Sequence, residues 1–209
     1  MTNKIKINTI LPVVIGLLLS LSGGWFTYQY YEEKGVSRLE LVSNEMIALL
    51  KNRMAAYEQV LKSGVGLFGA SEGVSRHEWK IFVKEQKFNE NFKEIQGFGY
   101  SEVVLPKNKQ KHEERVREEG FPGYAITPEG DRELYAPVVY IEPFDERNKK
   151  ALGYDSLSEK VRADALRKAM RSGKAIISGK IKLLQENDKD VQAGFLMFLP
   201  VYKKGFNLE

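Results

Sequence analysis

The first charge-free stretch is also the longest. After "MTNKIK", with Lys4 and Lys6, the run "INTILPVVIGLLLSLSGGWFTYQYY" carries no charged residue until Glu32. About 20 apolar residues in a helix span a bilayer core, so this run predicts a transmembrane helix over 7–31. Trp25, Phe26, Tyr28, Tyr30 and Tyr31 crowd its far end, as an interfacial aromatic belt does. Lysines before the span and Glu32 and Glu33 after it place residues 1–6 in the cytoplasm and the rest outside. Ser20 and Ser22 also suit a cleaved signal peptide, but the aromatics continue past them and favour a retained span.

From Glu32 the pattern changes to one apolar position every three or four residues. Leu39, Val42, Met46, Leu49, Ala56 and Val60 trace a helical seam, interrupted by Arg53, and predict a stalk helix over 32–63. That seam suits either packing on its own domain or pairing with a second copy. Glycines 64, 66, 69 and 73 then predict a looser segment. Ser75 with Glu78 has capping-box spacing and opens a helix to about Lys87, its apolar face made by Trp79, Phe82 and Val83. "IQGFGYSEVVL", 95–105, reads as a strand that Pro106 stops. "KNKQKHEERVREEG" is charged almost all round and predicts a solvated helix ending at Gly120. "LYAPVVYIEPF", 134–144, is a second strand with prolines near its edges. "SLSEKVRADALRKAMRSG" is a helix with Val161, Ala165, Leu166 and Ala169 on one face and Gly173 just past the end. "KAIISGKIKLLQ" and "AGFLMFLPVY" are strands split by the polar turn "ENDKD".

Strands mixed with helices and closed by a strand pair predict an α+β fold with antiparallel sheets. The sensor-sized remainder, 64–209, ends a few residues after a strand, as expected of a domain incomplete at its C-terminal end. Composition narrows the chemistry. The net charge of +4 is mild and no basic stripe argues for nucleic acid. There is no cysteine, which removes disulfides and thiolate zinc sites. The two histidines, His77 and His112, fall on different elements without metal spacing and read as exposed helix residues. No phosphate loop or nucleophile elbow is present, so neither a metal, a cofactor nor a catalytic residue is expected. The remaining enzymatic reading is an exported, membrane-anchored hydrolase using carboxylates such as Glu142 and Asp155. A third class is an interaction module with a filled core.

The strands carry Phe98, Tyr100, Tyr135, Tyr140, Phe195 and Phe198, which either fill the core or wall a small-molecule pocket. Asp155 stands at the junction of an apolar segment and a helix. Ser156 and Glu159 have capping-box spacing, so Ser156 is expected to cap the helix and Asp155 to remain at the strand end. A buried carboxylate there needs a donor: a backbone amide, a lysine such as Lys182, or a ligand N–H. On this reading Asp155→Ala weakens ligand binding and leaves the domain folded.

Six segments resemble, in order, the CHASE domain, the extracytoplasmic sensor module of membrane receptors such as the cytokinin-receptor histidine kinases. They are "GLFGASEGVSRHEWKIFV", "IQGFGYSEVV", "EGFPGYAI", "RELYAPVVYIEP", "ALGYDSLSEKVRADALRKAMRSGKAIISGKIKLLQE" and "GFLMFLPVY". The resemblance covers about residues 64 to 204. It implies a stalk helix followed by PAS-like subdomains, a ligand in the membrane-distal one, and a histidine kinase or diguanylate cyclase inside the cell. In the plant receptors an aspartate in the segment matching "GYDSLSEKVR" binds the hormone's adenine ring, and Asp155 stands there. The strand matching "GKAIISG" implies a backbone contact near Ile177. The strands matching "YAPVVY" and "GFLMFLPVY" imply pocket walls that include Pro137 and Val138. The segment around the aspartate otherwise departs from the plant receptors, so a small ligand carries over better than a cytokinin. The expected partners are thus a small molecule, the membrane and a second copy through the stalk.

Overall fold

The computed structural model describes residues 2–182 and 193–205, with side chains placed at 10–31, 40–182 and 194–205. The chain divides into two compact units, 1–55 and 56–209. The first lies within helix α1, Thr2–Ala70. Its stretch Ile10–Tyr31 has a mean hydropathy of 1.8 and is long and apolar enough to cross a membrane, with none of it buried. Leu41, Val42, Met46, Leu49 and Leu50 are exposed as well.

In the second unit, α1 continues without a break through Gly64, Gly66 and Gly69, where the glycines predicted a loose segment. Tertiary contact explains Gly64. A Cβ there would lie 3.0 Å from the Phe98 ring, so the missing side chain lets the helix meet that ring closely. Helix α2, Arg76–Glu85, starts at the expected capping box: Glu78 N–H donates to Ser75 Oγ at 3.3 Å, and Ser75 N–H donates to Glu78 Oε2 at 2.8 Å. A single helical turn, α3 (Phe88–Asn91), follows.

Strands β1 (Phe98–Ser101) and β2 (Val138–Glu142) pair antiparallel, with Tyr100 opposite Tyr140 and a shift of register at Ser101. Both are shorter than the apolar runs that predicted them. Beyond their ends a single bridge, Val104 with Tyr135, continues the pairing, and Pro137, just before β2, bridges instead to Asp155. Helix α4, Lys109–Glu118, is not solvated all round: His112 and Val116 are buried. Helix α5, Lys160–Ser172, buries Ala163, Ala165, Leu166 and Ala169 and ends at Gly173 in the left-handed conformation, φ 67°. Four two-residue strands close the described chain. β3 (Ile176–Ile177) pairs with β6 (Met197–Phe198), and β4 (Ile181–Lys182) with β5 (Ala193–Gly194), all antiparallel. The expected turn "ENDKD" lies outside the described residues.

The fold is α+β with small antiparallel sheets. Its largest core cluster joins Val60 of α1, Trp79 and Val83 of α2, Phe98, Tyr140 and Val116. A smaller cluster under α5 holds Ala136, Leu157, Ala163 and Leu166, with Phe198 packed on it. A third is made by Val104, Ile126 and Tyr135.

Candidate functional site

Asp155 is completely buried. The chain reaches it through Gly153, whose φ of +80° and closeness to Ala125 admit no side chain: a Cβ would lie 2.3 Å from the Ala125 carbonyl oxygen. Main-chain bonds fix the segment from both sides. Thr127 N–H donates to Gly153 O at 2.9 Å, Val138 N–H to Tyr154 O at 3.0 Å, and Asp155 N–H to Thr127 O at 2.7 Å.

The two carboxylate oxygens then do different work. Oδ1 accepts the N–H of Ala136 at 2.8 Å and of Leu157 at 2.9 Å. The Leu157 contact closes a side-chain turn over the next two residues. Ser158 Oγ adds a bond to the Asp155 carbonyl at 2.6 Å. Oδ2 is buried and has no hydrogen bond among the described residues. Its nearest charged neighbour is Arg132, with Nε at 3.5 Å. Arg132 is itself tied to its own turn through Pro128 O, at 3.1 Å, and by its N–H to Tyr135 Oη at 3.2 Å.

The expected capping box is absent. Helix α5 begins at Lys160, and Glu159 is its cap, accepting from Val161 N–H at 2.8 Å and Arg162 N–H at 3.2 Å. Ser156 is buried, and its N–H donates to Ala136 O. The carboxylate of Glu159 reaches forward to the helix amides rather than back to Ser156, because the turn set by Asp155 occupies residues 155–158. The amides bound to Oδ1 add a stability effect to the expectation for Asp155→Ala. Removing that oxygen orphans two buried donors, so the variant loses stability as well as any ligand contact.

The residues predicted as one site fall into separate places. Asp155, Pro137, Val138 and Tyr135 come together around Arg132 and the main-chain bonds above. Phe198 packs on the neighbouring cluster of Ala136, Leu157, Ala163 and Leu166. Phe98, Tyr100 and Tyr140 belong instead to the large core on α1 and α2. Tyr100 stacks on Phe68 at 4.3 Å, and burial raises its phenol to about 12. Ile177 and Phe195 are exposed on the short strands and their connection. Glu142 borders a cavity of about 330 Å³ between α2 and β2, whose walls include Trp79, Tyr140 and Phe144 but not Asp155.

A second polar centre escaped the sequence reading. His112 is 5% exposed, where an exposed helix residue was expected. Its Nδ1 lies 3.3 Å from Glu102 Oε2 and from Arg115 Nη2, and its Nε2 lies 2.9 Å from Tyr124 Oη. A carboxylate is the stronger acceptor, so Nδ1 carries the proton and donates to Glu102, and Nε2 accepts from Tyr124. That hydrogen bond holds the Glu102 carboxyl below the usual carboxylate range, against the opposing effect of burial and with help from Arg115. Burial raises the Tyr124 phenol. The spacing His112–Arg115 on one helix face was available in the sequence, but Glu102 and Tyr124 come from elements that no local pattern joins.

Arg162 is buried as well. It donates to Tyr154 Oη at 3.0 Å and to Lys182 O at 2.7 Å, so it fastens α5 to β4 beside the Asp155 turn. Among the described residues no group of histidine, aspartate and glutamate side chains is arranged to hold a metal.

Comparison with known proteins is consistent with this architecture and settles the family. No curated protein matches the chain. The model of the CHASE domain matches residues 72–208, so the chain belongs to the CHASE family, the extracytoplasmic sensor modules of signalling receptors.

Proposed function

We propose that this chain is the ligand-sensing region of a transmembrane receptor, and that Asp155 Oδ2 is the acceptor for a small ligand bearing N–H donors. The observation that carries the reading is the division of labour on one carboxylate. Oδ1 is held by two backbone amides, while Oδ2 is buried without a hydrogen bond. A buried acceptor left in that state is costly, and a ligand donor removes the cost. Among the described residues Arg132 is the one charged group beside it, and it is partly exposed, so the ligand enters on that side and competes with Arg132 for Oδ2. Displaced, Arg132 also loosens the turn 128–135 that it braces. A ligand that favours one arrangement of that turn shifts a two-state equilibrium, which is the physical content of a signal.

The family and α1 support the remaining parts of this reading. The sensor is PAS-like, Ile10–Tyr31 is a membrane span with its N-terminal lysines in the cytoplasm, and the output is a histidine kinase or diguanylate cyclase. The exposed Leu41, Val42, Met46, Leu49 and Leu50 pair with the same helix of a second copy.

The test uses the full chain in lipid nanodiscs and a panel of small N–H-bearing heterocycles, cytokinins included, read by thermal shift and calorimetry. Any compound that binds is then measured against Asp155→Asn, which keeps an oxygen for the two amides and removes the free acceptor. The expected result is a loss of affinity of about tenfold or more, the scale of a hydrogen bond to a charged group. Equal affinity in the two proteins sinks the assignment. A second reading is that Asp155 only pins the chain and the module binds no ligand; its full burial and the bonds to Oδ1 favour it. A panel without any Asp155-dependent binder supports that reading.

A further inference from the structure

The cavity between α2 and β2 offers the opposite chemistry to Asp155. Arg76 of α2 sits between two rings, its guanidinium carbon 4.2 Å from the Phe121 centroid and 4.9 Å from that of Tyr140. Nη1 donates to Val139 O at 2.8 Å, and Nη2 to Glu119 Oε2 at 3.1 Å. The third group, Nε, is buried and has no hydrogen bond among the described residues. Trp79 stands three residues along the same helix, on the same face. It is 2% exposed, and its indole Nε1 is likewise buried without a partner.

Both side chains line the one cavity. Buried N–H groups are nearly always paired, so two orphans on adjacent helical turns around one hollow call for an acceptor. Tyr140 and Phe144 add flat apolar walls, with Ile141 and His77 also in the lining, and the Tyr140 hydroxyl is already engaged with Val74 O at 2.9 Å. Glu142 also borders the cavity, its carboxylate accepting the Phe144 N–H at 3.0 Å, and Lys80 brings a positive charge to the lining. A flat apolar body with one anionic acceptor fits that set of walls.

We propose that this cavity is a second binding site, separate from Asp155, that takes a small aromatic monocarboxylate. Its carboxylate accepts from Arg76 Nε and Trp79 Nε1, and its ring lies against Tyr140 and Phe144. The site recognises an acceptor, where the Asp155 region recognises a donor, so the two take different molecules.

The experiment uses the full chain in nanodiscs with Trp25→Phe, which leaves Trp79 as the sole indole. Benzoate is titrated while the ¹⁵N–¹H signal of the indole is followed, with benzamide as the uncharged analogue. The expected result is a saturable downfield shift with benzoate and affinity at least about tenfold lower for benzamide. Arg76→Lys keeps the charge and lacks the Nε donor, and is expected to weaken benzoate by about tenfold. An indole signal unmoved at about 10 mM benzoate overturns the proposal, as does an equal response to benzamide. Both readings use the intact Arg76 side chain, so they stand even where Arg76→Lys fails to fold. Asp155→Asn is expected to leave the benzoate shift unchanged. A shift abolished by Asp155→Asn assigns benzoate to the other site and also overturns the proposal.

Discussion

Asp155 and Glu102 are both carboxylates with an arginine beside them, and they are held in different ways. Asp155 is fully buried, and its bound oxygen is gripped by the main chain, through the amides of Ala136 and Leu157. Glu102 is partly exposed and is gripped by side chains, through His112 and Arg115. Main-chain donors are fixed by the path of the backbone, so the geometry at Asp155 changes only if the segments 127, 136 and 157 move. Side-chain donors rotate, and the Glu102 carboxyl they hold is lowered from its ordinary value, so the geometry at Glu102 responds to pH. The first arrangement suits a fixed acceptor at which a ligand displaces one mobile neighbour. The second suits a tether whose strength varies with pH.

The sharpest way to break the comparison is Asp155→Ala. It leaves the Ala136 and Leu157 amides buried without an acceptor, each costing roughly 1–3 kcal/mol, so a loss of about 4 kcal/mol is expected. Denaturant unfolding followed by Trp79 fluorescence measures it in the Trp25→Phe background. A loss below about 1 kcal/mol would show that water replaces the carboxylate and that the main chain does not depend on it.

Asp155→Asn is gentler. It keeps an oxygen for the two amides and removes the ion pair with Arg132, whose side chain is 21% exposed and has other acceptors at Pro128 and Gly130. A loss of about 1 kcal/mol is expected, on the scale of a partly exposed pair. Equal losses for the Ala and Asn variants would mean that the charge, and not the amide contacts, holds the turn.

The contrast also explains what the sequence disclosed. Asp155 was singled out because a spare acid beside a helix start, within a segment resembling a known family, is a local pattern. Helix α2 was legible for the same reason: Ser75 and Glu78 stand three residues apart, and the capping box forms. The Ser156–Glu159 pair has the same spacing and forms no box, because the turn of Asp155 claims those residues first. Spacing alone does not distinguish the two. The glycines near 64 were read as loosening the chain, yet Gly64 lies in a helix that needs its small size for Phe98. Arg132 and Glu102 were invisible for a different reason. Their partners lie 23 and 10 residues away along the chain, on elements joined only by the folded topology. The aromatic strand residues were expected either to fill the core or to wall a pocket. The register of β1 and β2 sends Phe98, Tyr100 and Tyr140 to the core on α1 and α2, because alternate residues of a strand share one face.

The smallest effect tests the side-chain half of the comparison. Glu102→Gln removes the charge that His112 and Arg115 share, and at neutral pH a loss below about 1 kcal/mol is expected, since the carboxylate is 38% exposed and screened by water. Its signature is the pH dependence. The native carboxyl titrates below its unfolded value, so its contribution is fully present above the unfolded value of about 4.3 and disappears as pH falls through the depressed native one. The native protein is therefore expected to lose more stability than Glu102→Gln between pH 6 and pH 3, with the two curves converging at the acid end. Parallel curves across that interval would mean that Glu102 is as free in the folded chain as in the unfolded one. The tether between Glu102 and α4 would then have no thermodynamic content. Asp155, gripped by backbone amides, would remain as the carboxylate of this pair that organises the chain path.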